Sequence, residues 1–432
     1  MKQMLVNGVR KVLPGAATHR VEDFYRRSRV KLVSARYGNP AKSLRVIAVT
    51  GTNGKTTTVV YINEILKAAG FKTAMFSTAL IEVVGKSRLN DMNATVPLTS
   101  EMQRFFRDAK KAKVNFVVLE VTSHSLHQHK LATVPIECAV MTNLTQDHLD
   151  YHKTMQAYAE AKGILFAKSP RYMVLNQDDK WFDFFNKFEA GEHKITYGTS
   201  AESEARIAKV KLYKKGSEAT LVIDHQTNIE LGTNLPGKYN VYNLAAAASA
   251  AYVMGIDLDA IVDGIANVEA IPGRFERIDI DKPYEVIVDY AHTPDSLEQL
   301  LETVKAQAKN RVILVFGACG DRDRSKRPIM GEIAARLADR IYVTEEESYN
   351  EDPDKIRAMI LEGIERAKGK TKTTEIADRR EAIQKALSIA RKGDIVLITG
   401  MGHERFRIVQ GEHIPWNDGD VVREISGEKT SN

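Results

Sequence analysis

The run Val46-Ile47-Ala48-Val49-Thr50-Gly51-Thr52-Asn53-Gly54-Lys55-Thr56-Thr57-Thr58 constrains this chain more than any other segment. A β-branched apolar stretch enters a glycine-bracketed loop. A lysine, three threonines and a helical pattern from Val59 to Ala69 follow. Strand, glycine-rich loop and helix in that order make a phosphate cradle: backbone N–H groups approach the oxygens and the helix N-terminus adds positive potential. Lys55 reaches the outer phosphates, and the Thr56 hydroxyl suits Mg2+. The eight-residue P-loop pattern needs glycine at position 49, which is Val49, so this loop is a shorter variant. A nucleoside triphosphate is the expected ligand.

At 432 residues, with 43% apolar and 27% charged residues, the chain is expected to fold as two or three globular domains. No apolar run reaches the ~18 residues of a membrane span. The N-terminal apolar block is too short for a signal peptide. Cys138 and Cys319 leave no disulfide framework or zinc ribbon, and they read as small buried residues in a reducing cytoplasm. Charge is uneven. Through Leu44 there are ten Lys or Arg against Glu22 and Asp23, a net of +8, more than the whole chain's +6. Such a segment is either a solvated arm or a site for an anionic partner, a phosphorylated acceptor or the membrane surface. Nucleic acid is not expected, because no reading module accompanies the charge.

Strands alternating with helices to about Lys180 argue for a parallel sheet covered on both faces. Strands are expected at 114–119, ending on Glu120, at 136–143 and at 172–176. From Ala205 to Leu231 the period shortens to two residues, an antiparallel meander turning near Lys215-Gly216. Val241 to Met254 reads as an alanine-rich helix. The stretch 270–274 is the expected boundary to a second α/β unit with strands at 285–289, 312–317, 340–344 and 395–399. This divides the chain into a basic segment 1–45, a nucleotide-binding span 46–270 and a second α/β span 271–432. Active groups are expected at the carboxyl ends of the strands.

Glu120 sits at such an edge and suits Mg2+ through oxygen. Asn143 to His152 packs two Asp, two His and an Asn after a strand, which suggests metal or phosphate work. Lys162 reads on its own as a solvated lysine on an amphipathic helix. Asn243, near the start of the alanine-rich helix, sits in a region where Asn most often caps. Asp289 to Asp295 again places polar groups after a strand. Gly317 to Pro328, a cluster of glycine and charge, could clamp an anion.

The ordered set Gly51 to Thr57, Thr142 to His152, Gly273 to Glu276, Asp289 to Asp295, Gly320 to Pro328 and Gly400-Met401-Gly402-His403-Glu404 resembles the Mur ligase superfamily of ATP-dependent amide-bond-forming enzymes. The branch it resembles most adds the third residue, a diamino acid, to UDP-N-acetylmuramoyl-L-alanyl-D-glutamate. The resemblance implies a central P-loop ATPase domain with a mostly parallel sheet and a C-terminal Rossmann-like α/β domain. It implies a cytoplasmic monomer in peptidoglycan-precursor synthesis that joins a muramoyl-dipeptide acceptor to a free amino acid through an acyl phosphate. ATP and Mg2+ are the implied cofactors. Gly51, Thr52, Asn53, Gly54, Lys55, Thr56 and Thr57 would hold the phosphates. Thr56 and Glu120 would hold one Mg2+ and His148 a second, oriented by a carbamylated Lys162. Asn243 would contact adenine, with Arg274 and Asp289 reaching the nucleotide from the C-terminal side. Thr95, Thr122, Gln128 and Lys130 match acceptor positions, and Glu346, Glu347, Tyr349, Gly400 and Glu404 match the amino-acid side.

Lys130 stands where arginine is usual, which weakens a bidentate grip on carboxylate. Residues 1–45 stand where the family has a domain holding the UDP end of its acceptor. A different carboxylate acceptor, such as a lipid-linked muropeptide, a folate or a polyglutamate, is therefore the alternative. A non-catalytic nucleotide-binding protein is disfavoured by the intact Lys55, Glu120, His148 and Lys162. Diaminopimelate enzymes carry Asp-Asn-Pro-Arg in the loop that reads the amino acid. Here the aligned residues are Glu346-Glu347-Ser348-Tyr349, so a terminal ammonium (lysine or ornithine) is expected to be favoured over diaminopimelate unless a nearby cation such as Arg322, Arg324 or Arg327 replaces the missing arginine.

Overall fold

The computed structural model describes residues 15–90, 92 and 99–428. Thr95 and the first fourteen residues of the basic segment lie outside them. The protein is α/β, with two large sheets in sequence. The first has eleven strands: β1 (Arg45–Thr50), β2 (Thr73–Phe76), β3 (Leu80–Val83), β4 (Lys86–Leu89), β5 (Phe116–Glu120), β6 (Cys138–Met141), β7 (Tyr172–Asn176), β8 (His193–Gly198), β9 (Ala205–Tyr213), β10 (Gly216–Ile223) and β11 (Thr227–Thr233). Their order is β11-β10-β9-β8-β7-β6-β1-β5-β2-β3-β4. The centre, from β9 through β2, is parallel, and both edges finish in antiparallel strands. The expected meander is therefore an extension of the main sheet, since β9 pairs parallel with β8.

The parallel strands are apolar on both faces because helices cover both. Helices Lys55–Ala68, Lys238–Val253 and Leu258–Ala266 build one core with Ile47, Val49, Val118 and Val140. Helices Thr99–Lys111 and Met155–Phe166 build the other with Val46, Ala48, Val117 and Ala139. Alternation along β1 thus splits its side chains between two dry layers.

The second sheet contains β12 (Glu276–Ile278), β13 (Glu285–Asp289), β14 (Val312–Phe316), β15 (Arg340–Val343), β16 (Thr373–Glu375) and β17 (Ile395–Thr399), in the order β12-β13-β17-β14-β15-β16. Only the β12 pairing is antiparallel. Helices again cover both faces. A small hairpin, β18 (Phe406–Val409) with β19 (Glu412–Pro415), follows. The carboxyl ends of the two parallel sheets meet across one cleft of ≈ 1530 Å³.

Candidate active site

β1 delivers the chain to the phosphate loop, and helix Lys55–Ala68 begins directly after Gly54. Two glycines make that turn possible. A Cβ on Gly51 would sit 1.8 Å from Thr142 Oγ1. Gly54, at φ 81°, would place one 2.1 Å from Asn243 Oδ1. The loop is fastened to the next strand end: Thr52 N donates to Asn143 O at 2.9 Å and Asn53 N to Asn143 Oδ1 at 2.9 Å. Lys55 Nζ donates to Thr52 O at 2.7 Å, curled over the loop it serves.

At the end of β5, the buried Glu120 carboxylate accepts three hydrogen bonds of 2.8 Å, from Thr56 Oγ1, Thr78 N and Thr78 Oγ1. Arg274, from the start of the second sheet, donates to Thr56 Oγ1 at 3.0 Å and packs over the Tyr290 ring at 4.5 Å. One hydroxyl therefore lies between a carboxylate from the first sheet and a guanidinium from the second.

Lys162 is the main surprise against its local sequence. It is 1% exposed. Its Nζ donates to Gly51 O at 2.7 Å and lies 4.6 Å from the centre of the Tyr158 ring. The helix Met155–Phe166 packs its Lys162 face against the back of the phosphate loop, so the solvated reading fails for lack of solvent. Burial, together with the nearby Lys55 ammonium, holds the Lys162 amine well below the usual lysine range.

His148 occupies the left-handed region at φ 56°. Its Nε2 lies 3.3 Å from Asp147 Oδ2, and its Nδ1 is buried without a hydrogen-bond partner. Burial drives its ring well below the usual histidine range, so both it and His124, lowered to about 4 by burial and by Arg322, are neutral imidazoles. Asp147 also faces Lys326 at 3.3 Å and His292 at 3.8 Å. Burial alone would raise Asp147, but the Lys326 ammonium, with His148 and His292, overrides it and holds the carboxyl far below its usual range.

Thr122 caps the short helix Ser123–His127 by accepting from Ser125 N at 3.2 Å, and Gln128 and Lys130 follow on the same side of the cleft. Asn243 is no cap: Gly237 begins the helix Lys238–Val253, and Asn243 lies one turn in, facing Gly54. Asp289 lines the cleft, yet both its oxygens accept from backbone, Phe275 N at 2.6 Å and Ala291 N at 2.7 Å. It shapes the turn that aims Arg274.

Opposite, Glu346, Glu347, Tyr349, Gly400 and Glu404 gather on one wall of the cleft. The acidic run is engaged internally. Glu346 Oε1 accepts from Cys319 Sγ at 2.8 Å, and Glu347 accepts from Tyr349 Oη at 3.0 Å and from Ile408 N at 3.2 Å. The Arg322 guanidinium stacks 4.9 Å over the Tyr349 ring. Burial, then the Glu347 and Glu346 carboxylates, raise Glu404 to about 8 even though Arg274 opposes the shift.

Of the described residues singled out from sequence, all line this cleft except Gly51 and Lys162, which sit directly behind the phosphate loop. Sequence reasoning missed Thr78, and it placed Asp295 in a polar cluster without a partner. Thr78, two residues beyond the end of β2, holds Glu120, and its position at a strand's carboxyl edge was the available signal. Asp295 Oδ2 accepts from Asn53 Nδ2 at 2.7 Å and ties the phosphate loop to the second sheet.

Residues 49–251 match the family model described as the Mur ligase middle domain, and residues 273–402 match the Mur ligase glutamate ligase domain. The chain is 41% identical over 405 residues to the UDP-N-acetylmuramoyl-L-alanyl-D-glutamate--2,6-diaminopimelate ligase of Syntrophomonas wolfei, covering 92% of this chain and 82% of that protein. A solved structure of a ligase with the same name shares 37% identity at a TM-score of 0.61, over 89% of this chain and 78% of that one. Folylpolyglutamate synthase of Mycobacterium tuberculosis, solved with ADP and AMPPCP, shares the fold at a TM-score of 0.73 and 20% identity, over 94% of this chain and 96% of that one. The phosphate loop, the carboxylate edge and the second sheet closing over them are those of a ligase scaffold, and this chain belongs to the Mur ligase family.

Proposed function

We propose that this chain is an ATP-dependent ligase that joins a diamino acid to the carboxylate of UDP-N-acetylmuramoyl-L-alanyl-D-glutamate. The observation that carries this is the convergence, in one cleft, of Lys55, the Thr56–Glu120 pair and Arg274 from the opposite sheet, with buried Lys162 behind the loop. Phosphoryl transfer asks a protein mainly for positioning and charge neutralisation. Residues 51–57 cradle the triphosphate, and Lys55 neutralises charge as the γ-phosphoryl group passes to the acceptor carboxylate. Asn243 abuts the base and Arg274 holds the nucleotide from the far side. The amine of the incoming amino acid then attacks the acyl phosphate, forming the amide and releasing phosphate.

The residues present fit Mg2+. Thr56 and Glu120 supply hard oxygen donors, and the unpartnered Nδ1 of neutral His148 offers a further ligand. Bound there, Mg2+ would supply added charge neutralisation at the phosphates. Lys162 fits carbamylation, because burial shifts it toward the neutral amine, the form that reacts with CO2. Thr122, Gln128 and Lys130 define the acceptor side, with Thr95 assigned there from sequence alone.

For the amino acid, Tyr349 standing in place of arginine favoured lysine or ornithine on sequence grounds. Arg322 stacked on that tyrosine supports a different reading: it returns a cation to the same wall, while Glu347 and one oxygen of Glu346 are held by their own neighbours. We therefore favour 2,6-diaminopimelate, the substrate printed in the relatives' names. Spans 46–270 and 271–432 are taken as the two working domains, and a cytoplasmic monomer is the expected form. Among the described residues no helix is long and apolar enough to cross a membrane.

The test is ADP release by the full chain with ATP, Mg2+, the muramoyl dipeptide and a panel of amino acids. Turnover requiring both the acceptor and a diamino acid supports the proposal. Turnover only with folate or polyglutamate acceptors would overturn it.

A further inference from the structure

We propose that the Gly15–Arg36 helix docks the enzyme on an anionic lipid bilayer and holds the acceptor side of the cleft next to that surface. Three of the nine large apolar side chains exposed among the described residues sit on this one helix: Phe24 at 73%, Tyr25 at 51% and Leu32 at 73%. At 3.6 residues per turn, Leu32 shares a side with Tyr25, seven positions before it, and with Phe24, eight before it. Buried Val30 lies on the opposite side, where the helix packs against Thr99–Lys111. The helix thus turns Val30 inward and its apolar strip outward.

Exposed basic residues border the outward face. Arg27 and Lys31 lie along one margin, and Arg29 and Arg36 along the other. The acids Glu22 and Asp23 are engaged by Arg26. An apolar strip between two basic rows matches a bilayer interface: the strip enters the headgroup boundary and the long cationic chains reach the phosphates. A nucleic acid would meet the arginines and leave Phe24 and Leu32 in water.

The helix is also placed beside the acceptor wall. Asp23 Oδ1 lies 3.3 Å from His129 Nε2, and the next residue, Lys130, lines the cleft. Burial lowers Lys130, Glu101 opposes that shift, and the Arg29 guanidinium adds to it. The docking does not depend on the ligase reading.

Sedimentation of the full chain with vesicles tests the docking. Binding to equimolar phosphatidylglycerol and phosphatidylcholine, absent with phosphatidylcholine alone and weakened by salt, is the expected result. Phe24→Ser and Leu32→Ser should each reduce partitioning roughly tenfold, and Arg27→Glu with Lys31→Glu should abolish it. All should leave Tm and ADP release with the soluble acceptor unchanged. Equal sedimentation with and without phosphatidylglycerol, variants that bind like the parent, or retention by RNA in place of vesicles would overturn the proposal. Absent ADP release in every variant and the parent would instead count against the ligase reading.

Discussion

Lys326 Nζ lies 3.3 Å from Asp147 Oδ1, and the two side chains, 3% and 6% exposed, come from the two different α/β units. Their contact joins the strand end after β6 to the helix Lys326–Leu337. Removing one partner would leave the other charge dry and unpaired. Lys326→Met should therefore cost about 3–5 kcal/mol in chemical denaturation. Adding Asp147→Asn should recover part of that loss, and strict additivity of the two would show that the pair is not coupled.

Lys55 is half-buried, and its Nζ donates to Thr52 O of its own loop. Lys55→Ala should leave the unfolding midpoint nearly unchanged and lower kcat on the order of 10^3, as for other cations aimed at a transferring phosphoryl group. Near-normal ATP turnover would remove the phosphate-loop assignment.

The buried amine of Lys162 should exist as a carbamate in the active enzyme. Equilibration with 13C-bicarbonate should yield a carbamate carbonyl resonance that Lys162→Arg lacks. Lys162→Ala should regain part of its activity when short carboxylates are added. A spectrum identical for parent and Lys162→Arg would exclude the modification.

Glu404, with burial and Glu347 raising it to about 8, carries a proton at neutral pH. The folded chain then holds a proton that the unfolded chain gives up above its ordinary value. Stability should accordingly fall as pH rises from the ordinary carboxylate range, near ~4.3, to about 8. If Glu404 receives the ammonium of the amino acid, kcat/KM for that substrate should climb as pH passes through the same upper value. Glu404→Gln should flatten both trends, and a parent-like climb in that variant would assign the proton elsewhere.

Arg322 over Tyr349 makes substrate choice measurable. The parent should prefer 2,6-diaminopimelate over lysine and ornithine, and Arg322→Ala should lower kcat/KM for diaminopimelate by about 1.5–3 kcal/mol, the range for a hydrogen bond to a charged group. An unchanged preference order in Arg322→Ala would show that another group reads the far carboxylate.

Local sequence was enough to determine the glycine-rich loop between strand and helix, the alternation of strands with helices, and which polar groups stand at several strand ends. Each depends on neighbours in the chain: apolar alternation, glycine beside lysine, a carboxylate ending an apolar run. What lay beyond it was burial and cross-sheet pairing. Lys162 reads as solvated from its own helix, and only packing of that helix against Gly51 dries its amine. Asn243 reads as a cap and Glu346 as a group reading the amino acid, until the fold sets one against Gly54 and one oxygen of the other against Cys319. Thr78 carries no motif of its own and gains meaning from Glu120, and Asp295, at the end of a polar motif, gains its partner Asn53 only from the fold. Residue type and spacing declare which groups are available. Desolvation and the distance between charges are properties of three-dimensional packing, and these decided which of those groups are neutral, paired or aimed into the cleft.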